Sequence, residues 1–147
     1  MVQGMSKRKS EIIKATPADD NHQVVTVVTC GAETLAHRKK PCKDCPWRKD
    51  AVGEFPPEAF RISAKTAYDM SLETFACHSS GSKRPATCAG FLLRGADHNL
   101  SVRLAYVTGR LTEDFGADGN ELFDNYRDMA IANGVDPDDP ILASCRD

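Results

Sequence analysis

Apolar residues in this chain fall in short, separated stretches whose spacing changes from segment to segment. Residues 1–22 are polar and basic without apolar periodicity, which predicts a flexible basic arm. His22–Cys30 reads His-Gln-Val-Val-Thr-Val-Val-Thr-Cys, and its β-branched run predicts a strand. Residues 31–56 form a loop region in which Pro41 and Pro46 stop any helix from passing through. Pro56-Pro57 then opens a helix expected from about Glu58 to Met70, because proline at a first helical position lacks only an N–H that would have no intrahelical partner. Phe60, Ala64, Ala67 and Tyr68 share one face of it, with Arg61 and Lys65 on another.

Beyond that helix, Ser71–Ala76 predicts an extended lead into Cys77, and Ser79–Pro85 is loop chemistry throughout. Cys88-Ala-Gly-Phe-Leu-Leu-Arg-Gly95 suits one or two helical turns closed by glycine. Asp97 is placed to cap another helix, along which Leu100, Leu104, Val107 and Leu111 make an apolar stripe with Gly109 near the end. Residues 112–120 are acidic turn sequence. Glu121 to Asn133 predicts a last helix, with Leu122, Tyr126 and Met129 inward and Gly134 as its stop. The chain has 147 residues, no internal repeat and no second core. The expectation is one domain over residues 23–147, mostly α within an α+β frame: three to four helices, a short β element and a cysteine-rich metal-binding loop.

Charge sharpens this picture. The net charge of -2 conceals ten basic against six acidic residues over 1–50, and two against ten over 111–147. The basic side is densest from His37 to Lys49, where Arg38, Lys39, Lys40, Trp47, Arg48 and Lys49 are candidates for contact with nucleic acid or an acidic protein patch. Trp47 could stack on a base or pack over a metal site. The acidic C-terminal part discourages tight non-specific nucleic-acid binding. No apolar run approaches the roughly 20 residues a membrane helix needs, and the first residues lack the apolar core of a secretory signal. The expected location is the cytoplasm, where cysteines stay reduced and a C-x2-C pattern points to metal or redox chemistry.

The cysteines carry the chemistry. Cys42-Lys-Asp-Cys45 is a C-x2-C knuckle, and Cys77 and Cys88 follow in separate segments. Two thiolates two residues apart can bind one tetrahedral ion while the backbone turns around it, so Cys42, Cys45, Cys77 and Cys88 are the expected ligands. His78, adjacent to Cys77, is an alternative ligand or a residue that tunes a neighbouring thiolate. Cys30 and Cys145 are left over as lesser candidates for a ligand, and the sequence does not settle their role. Four thiolates suit zinc or an iron–sulfur cluster; zinc is the commoner structural solution, and the aromatics Trp47, Phe75 and Phe91 are compatible with a shielded cluster. A dithiol redox site at Cys42 and Cys45 is the competing chemistry, although no strand leads directly into the motif and prolines bracket it.

Pro41-Cys42-x-x-Cys45-Pro46-Trp47-Arg48-Lys49-Asp50, Gly53-Glu54-Phe55-Pro56, Phe75-x-Cys77-His78 and Cys88-Ala-Gly-Phe-Leu-Leu-Arg94 together resemble an uncharacterised family of bacteria and their phages. The resemblance spans roughly residues 40–147 and extends to His98-Asn-Leu100 and Asn133-Gly-Val-Asp-Pro137. It implies that the cysteines act as a set and supplies no reaction. The sequence holds no H-E-x-x-H, no phosphate-binding glycine loop and no G-x-S-x-G. The reading is a non-enzymatic binding module stabilised by a metal on four cysteines, a phage or accessory protein acting on a host protein or nucleic acid. The alternative is an iron–sulfur redox protein or metal-dependent enzyme. Oligomeric state is open.

Overall fold

The computed structural model describes residues 9–30, 34–81 and 84–145. Two antiparallel strands, β1 (Lys9–Pro17) and β2 (Gln23–Cys30), form a hairpin with Lys9 opposite Cys30 and Pro17 opposite Gln23. A turn at Asp19–His22 closes it, with Asp19 accepting from the Asn21 amide and facing the His22 ring. Strand β2 is the one expected from its β-branched run. Over Lys9–Pro17 a paired strand replaces the expected arm: Ile12, Ile13 and Ala15 lie among charged residues, which masks their strand character. Residues 1–8 lie outside the described part.

Four short helices follow: α1 (Pro57–Ser63), α2 (Ala89–Arg94), α3 (Leu100–Val107) and α4 (Tyr126–Ala132). The expectation of a mostly α domain is corrected. About 31% of the structure is helical and about 18% strand, in a two-stranded sheet with isolated bridges. The physical reason is that several apolar segments pair backbone to backbone across long sequence distances instead of winding. The predicted helix from Glu121 begins only at Tyr126, because Leu122 bridges Arg48, the Lys49 amide donates to Glu121 O and the Phe123 amide to Trp47 O. The helix from Glu58 tightens into a 3-10 turn at Ala64–Ala67. Gly134 does stop α4, at φ 105°.

The apolar stripe on α3 is also corrected. Val102 and Ala105 are buried, whereas Leu104 is 49% and Val107 83% exposed. Asn99, not Asp97, caps this helix. Its Oδ1 accepts from the Val102 amide at 3.1 Å, and its Nδ2 donates to Glu73 O at 2.7 Å and Thr66 O at 3.4 Å. This buried amide fixes the rotation of α3 against the 66–73 segment. Asn99→Ala leaves those partners unsatisfied and is expected to lower stability by about 1–3 kcal/mol, measured by urea denaturation.

One core joins these elements and includes Trp47, Phe60, Phe91, Tyr126, Met129 and Leu142. The indole meets Phe75 and Tyr126 edge-on, at centroid separations of 6.0 and 5.8 Å. Gly90 and Gly95 make room for it: a Cβ on Gly90 would lie 2.5 Å from Trp47 Cβ, and one on Gly95 2.4 Å from Trp47 Cη2. The C-terminal segment closes over α1 through Arg61 to Asp139 at 2.7 Å and Tyr68 Oη to Ile141 O at 2.6 Å.

Candidate metal centre

Three chain segments build the cysteine cluster. The knuckle is a tight turn, in which the Cys45 amide donates to Cys42 O and the Arg48 amide to Cys45 O. The other two thiols come from neighbouring extended segments that meet at Thr87. Thr87 bridges His37 on one side and Ala76 on the other. The Thr87 amide donates to Ala36 O, the Arg38 amide to Thr87 O, the Cys77 amide to Ala86 O and the Cys88 amide to Phe75 O. This small ladder sets Cys77 and Cys88 beside the chain that runs into the knuckle.

The sulfurs consequently become neighbours. Cys45 Sγ lies 3.5 Å from Cys88 Sγ, and the Cys42 thiol interacts with those of both Cys45 and Cys77. Cys45, Cys77 and Cys88 are buried, and Cys42 is half-buried; all four are free thiols. Among the described residues, no group of three or more His, Cys, Asp or Glu side chains is placed to hold a metal ion. The thiols instead form a chain of neighbours in the order Cys88, Cys45, Cys42, Cys77. A tetrahedral ion about 2.3 Å from each sulfur requires sulfur–sulfur edges of about 3.8 Å, close to the Cys45–Cys88 separation. Only that one separation matches such an edge; the four sulfurs do not surround a common point.

The electrostatics of the cluster follow from its crowding. Hydrogen bonding from Cys42 favours the Cys45 thiolate, but hydrogen bonding with Cys88 and burial outweigh it and push this thiol up to about 12. Hydrogen bonding with Cys42, then burial, pushes Cys77 up to about 12 against the opposing pull of Ser79 and Arg38. Crowded buried thiols resist ionisation because thiolates repel one another, and a bound cation reverses that balance.

The other sequence candidates are placed less uniformly. Trp47 is fully buried, so its assignment as a surface contact is corrected: it is the centre of the core. Arg38 turns inward, donating from Nε to Cys77 Sγ at 3.3 Å and from Nη2 to Ser79 Oγ at 2.9 Å. Arg48 spans Cys42 O and the Asp50 carboxylate. Lys39, Lys40 and Lys49 are exposed, yet they pair with Asp114, Asp118 and Glu121 at 3.6, 3.7 and 3.2 Å. The basic and acidic parts of the chain thus face each other. The side chains of His78 and Cys30 lie outside the described part. Cys145 sits apart from the four thiols, its Sγ 3.8 Å from Ala64 O in the docked C-terminal segment.

Sequence reasoning missed two groups. Ser79 lies 3.2 Å from Cys77 Sγ, and only its position two residues after that cysteine could have signalled it. His37 lines a shallow cleft of about 390 Å³ with Arg110 and Asp114. Its Nδ1 faces Leu35 O at 3.0 Å and its Nε2 faces Asp114 Oδ1 at 2.5 Å, so both ring nitrogens are engaged.

Residues 37–146 match a family of unknown function, DUF6283. The chain belongs to that family. The matched region contains all four clustered cysteines, the Thr87 ladder and helices α1–α4; the hairpin lies before it. No curated protein and no solved structure matches the chain. Among the described residues, no helix is long and apolar enough to cross a membrane.

Proposed function

We propose that this member of DUF6283 is a non-enzymatic binding module whose Cys42, Cys45, Cys77 and Cys88 hold one zinc ion. The observation that supports this reading is the run of four free thiols from three segments, each beside the next, with the Cys45–Cys88 sulfurs 3.5 Å apart. Zinc would supply folding energy by tying the knuckle to the Thr87 ladder, and four sulfur ligands leave no open position for substrate. Closing the cage would require Cys77, which among these thiols neighbours only Cys42, to approach the Cys45–Cys88 pair.

A protein partner fits the surface better than nucleic acid does. Lys39, Lys40 and Lys49 already face carboxylates, and phosphate would have to displace them. The protein is expected to show negligible affinity for duplex DNA and for RNA at low salt in a fluorescence anisotropy titration. Firm, salt-sensitive binding would restore the nucleic-acid reading.

The deciding experiment is elemental analysis with a visible spectrum on anaerobically purified protein. One zinc per chain is expected, with stoichiometric loss in a Cys45→Ser, Cys88→Ser double variant. A brown protein absorbing near 400 nm (the region expected of such clusters) would replace zinc with an iron–sulfur cluster. Protein without bound metal that also fails to take up added Zn²⁺ would end the reading.

A further inference from the structure

The basic strip contains one residue that behaves unlike its neighbours. Lys39 and Lys40 reach out to carboxylates, whereas Arg38 reaches in to a sulfur. Among the described residues, no carboxylate pairs with its guanidinium. We infer that Arg38 is a positioning residue for the proposed metal centre: with Ser79 it orients the Cys77 sulfur and offsets the charge of the bound thiolates. The inference rests on the metal reading above and goes beyond it by assigning what controls affinity at that site.

The geometry supplies three supports. Arg38 Nε donates to Cys77 Sγ at 3.3 Å, Nη2 donates to Ser79 Oγ at 2.9 Å, and Ser79 Oγ lies 3.2 Å from the same sulfur. Sulfur, hydroxyl and guanidinium therefore form a closed triangle. The triangle is anchored at both ends, because the Arg38 amide donates to Thr87 O and the Cys77 amide to Ala86 O in the same small ladder. Four thiolates around a divalent cation carry a net charge of about -2, and such charge is unfavourable away from water unless cations or N–H donors offset it. Arg38 supplies both directly to one sulfur. Arg48 adds a second cation near the knuckle, but it donates to the Cys42 carbonyl and is itself offset by Asp50. Among the described residues, Arg38 is thus a cation in contact with the cluster that no carboxylate offsets. A planar guanidinium can bond sulfur and hydroxyl at once, which a lysine ammonium on a flexible stem cannot hold in the same fixed way.

The test compares full-length wild type with Arg38→Gln, Arg38→Lys and Ser79→Ala. Each is loaded with Zn²⁺ alone for affinity, by competition with a chromophoric chelator, and with Co²⁺ alone for its sulfur-to-metal charge-transfer band. Arg38→Gln is expected to weaken zinc binding about 10–100-fold, the usual effect of removing a partner of a metal ligand, and to move the cobalt band. Arg38→Lys should recover part of the affinity by restoring charge without the fork, and Ser79→Ala should weaken binding less than Arg38→Gln. A shifted cobalt band separates tuning of the sulfur from a merely structural role, which would change yield or melting temperature alone. If Arg38→Gln fails to fold, Arg38→Lys carries the comparison, and a wild-type affinity and cobalt band in that variant overturn the inference. Wild type that loads normally while Arg38→Gln loads equally well, with an unmoved band, removes the inference and leaves the metal reading standing. Wild type that takes up neither ion removes both.

Discussion

Truncating Trp47 to alanine is expected to lower the unfolding free energy by about 3–5 kcal/mol, read from the denaturation midpoint at constant slope. The indole is wholly buried, and Phe75, Phe91 and Tyr126 surround it at centroid distances of 5.8 to 6.4 Å. Removing it opens a cavity that rings held by their own packing cannot collapse to fill. Its Nε1 has no hydrogen-bond partner among the described residues, so shape and apolar contact dominate its contribution. Trp47→Phe should therefore retain much of what Trp47→Ala loses. The same geometry inverts an ordinary rule on α2. Glycine to alanine inside a helix usually stabilises by roughly 0.5–1 kcal/mol. Here Gly90→Ala places its methyl 2.5 Å from Trp47 Cβ, where the neighbour is stiff, so overpacking should destabilise by about 1–3 kcal/mol. A Gly90→Ala protein as stable as wild type would show that Trp47 does not pack tightly against α2.

The second large effect concerns the ion. A site that binds in the native state but not in the unfolded chain adds about 4 kcal/mol when free metal stands at 1,000 times its dissociation constant. Chelation of the zinc-loaded protein is therefore expected to lower the melting temperature by many degrees, and readdition of zinc should restore it. The loss should be largest where the knuckle meets the Thr87 ladder. Hydrogen exchange over residues 41–49 and 75–88 is expected to accelerate more than exchange in α4. A uniform loss of protection across the chain would mean that the ion supports the whole fold. Unchanged stability would mean that these thiols do not hold a structural metal.

The parts of the fold that were legible in the sequence are those set by local chemistry. Pro57 at a helix start, Gly134 at a helix stop, the β-branched strand to Cys30, and the inward Phe60, Leu122, Tyr126 and Met129 all follow from spacing and backbone preference. What was not legible depends on partners far away. Nothing near Glu121 says that it will pair with Lys49 and give up a helix, and nothing near Val107 says that the Asn99 side chain will turn α3 to leave it exposed. The fold class was misjudged for that reason. At the site, the C-x2-C spacing pointed to cysteines acting together. In the basic strip, a charge count reveals neither that Trp47 is in the core nor that Lys39, Lys40 and Lys49 have acidic partners more than sixty residues further along the chain.

The ladder at Thr87 has a consequence for how the site comes into being during synthesis. When Cys42 and Cys45 leave the ribosome, the segments that will bring Cys77 and Cys88 beside them have not been made, and the stretch at Leu122 and Phe123 that braces Trp47 comes later still. The nascent chain therefore offers two sulfurs and no enclosure. On the proposed zinc reading a tight ion site would arise only after nearly all of the domain is in place, so occupancy would act as a certificate that the chain has finished folding.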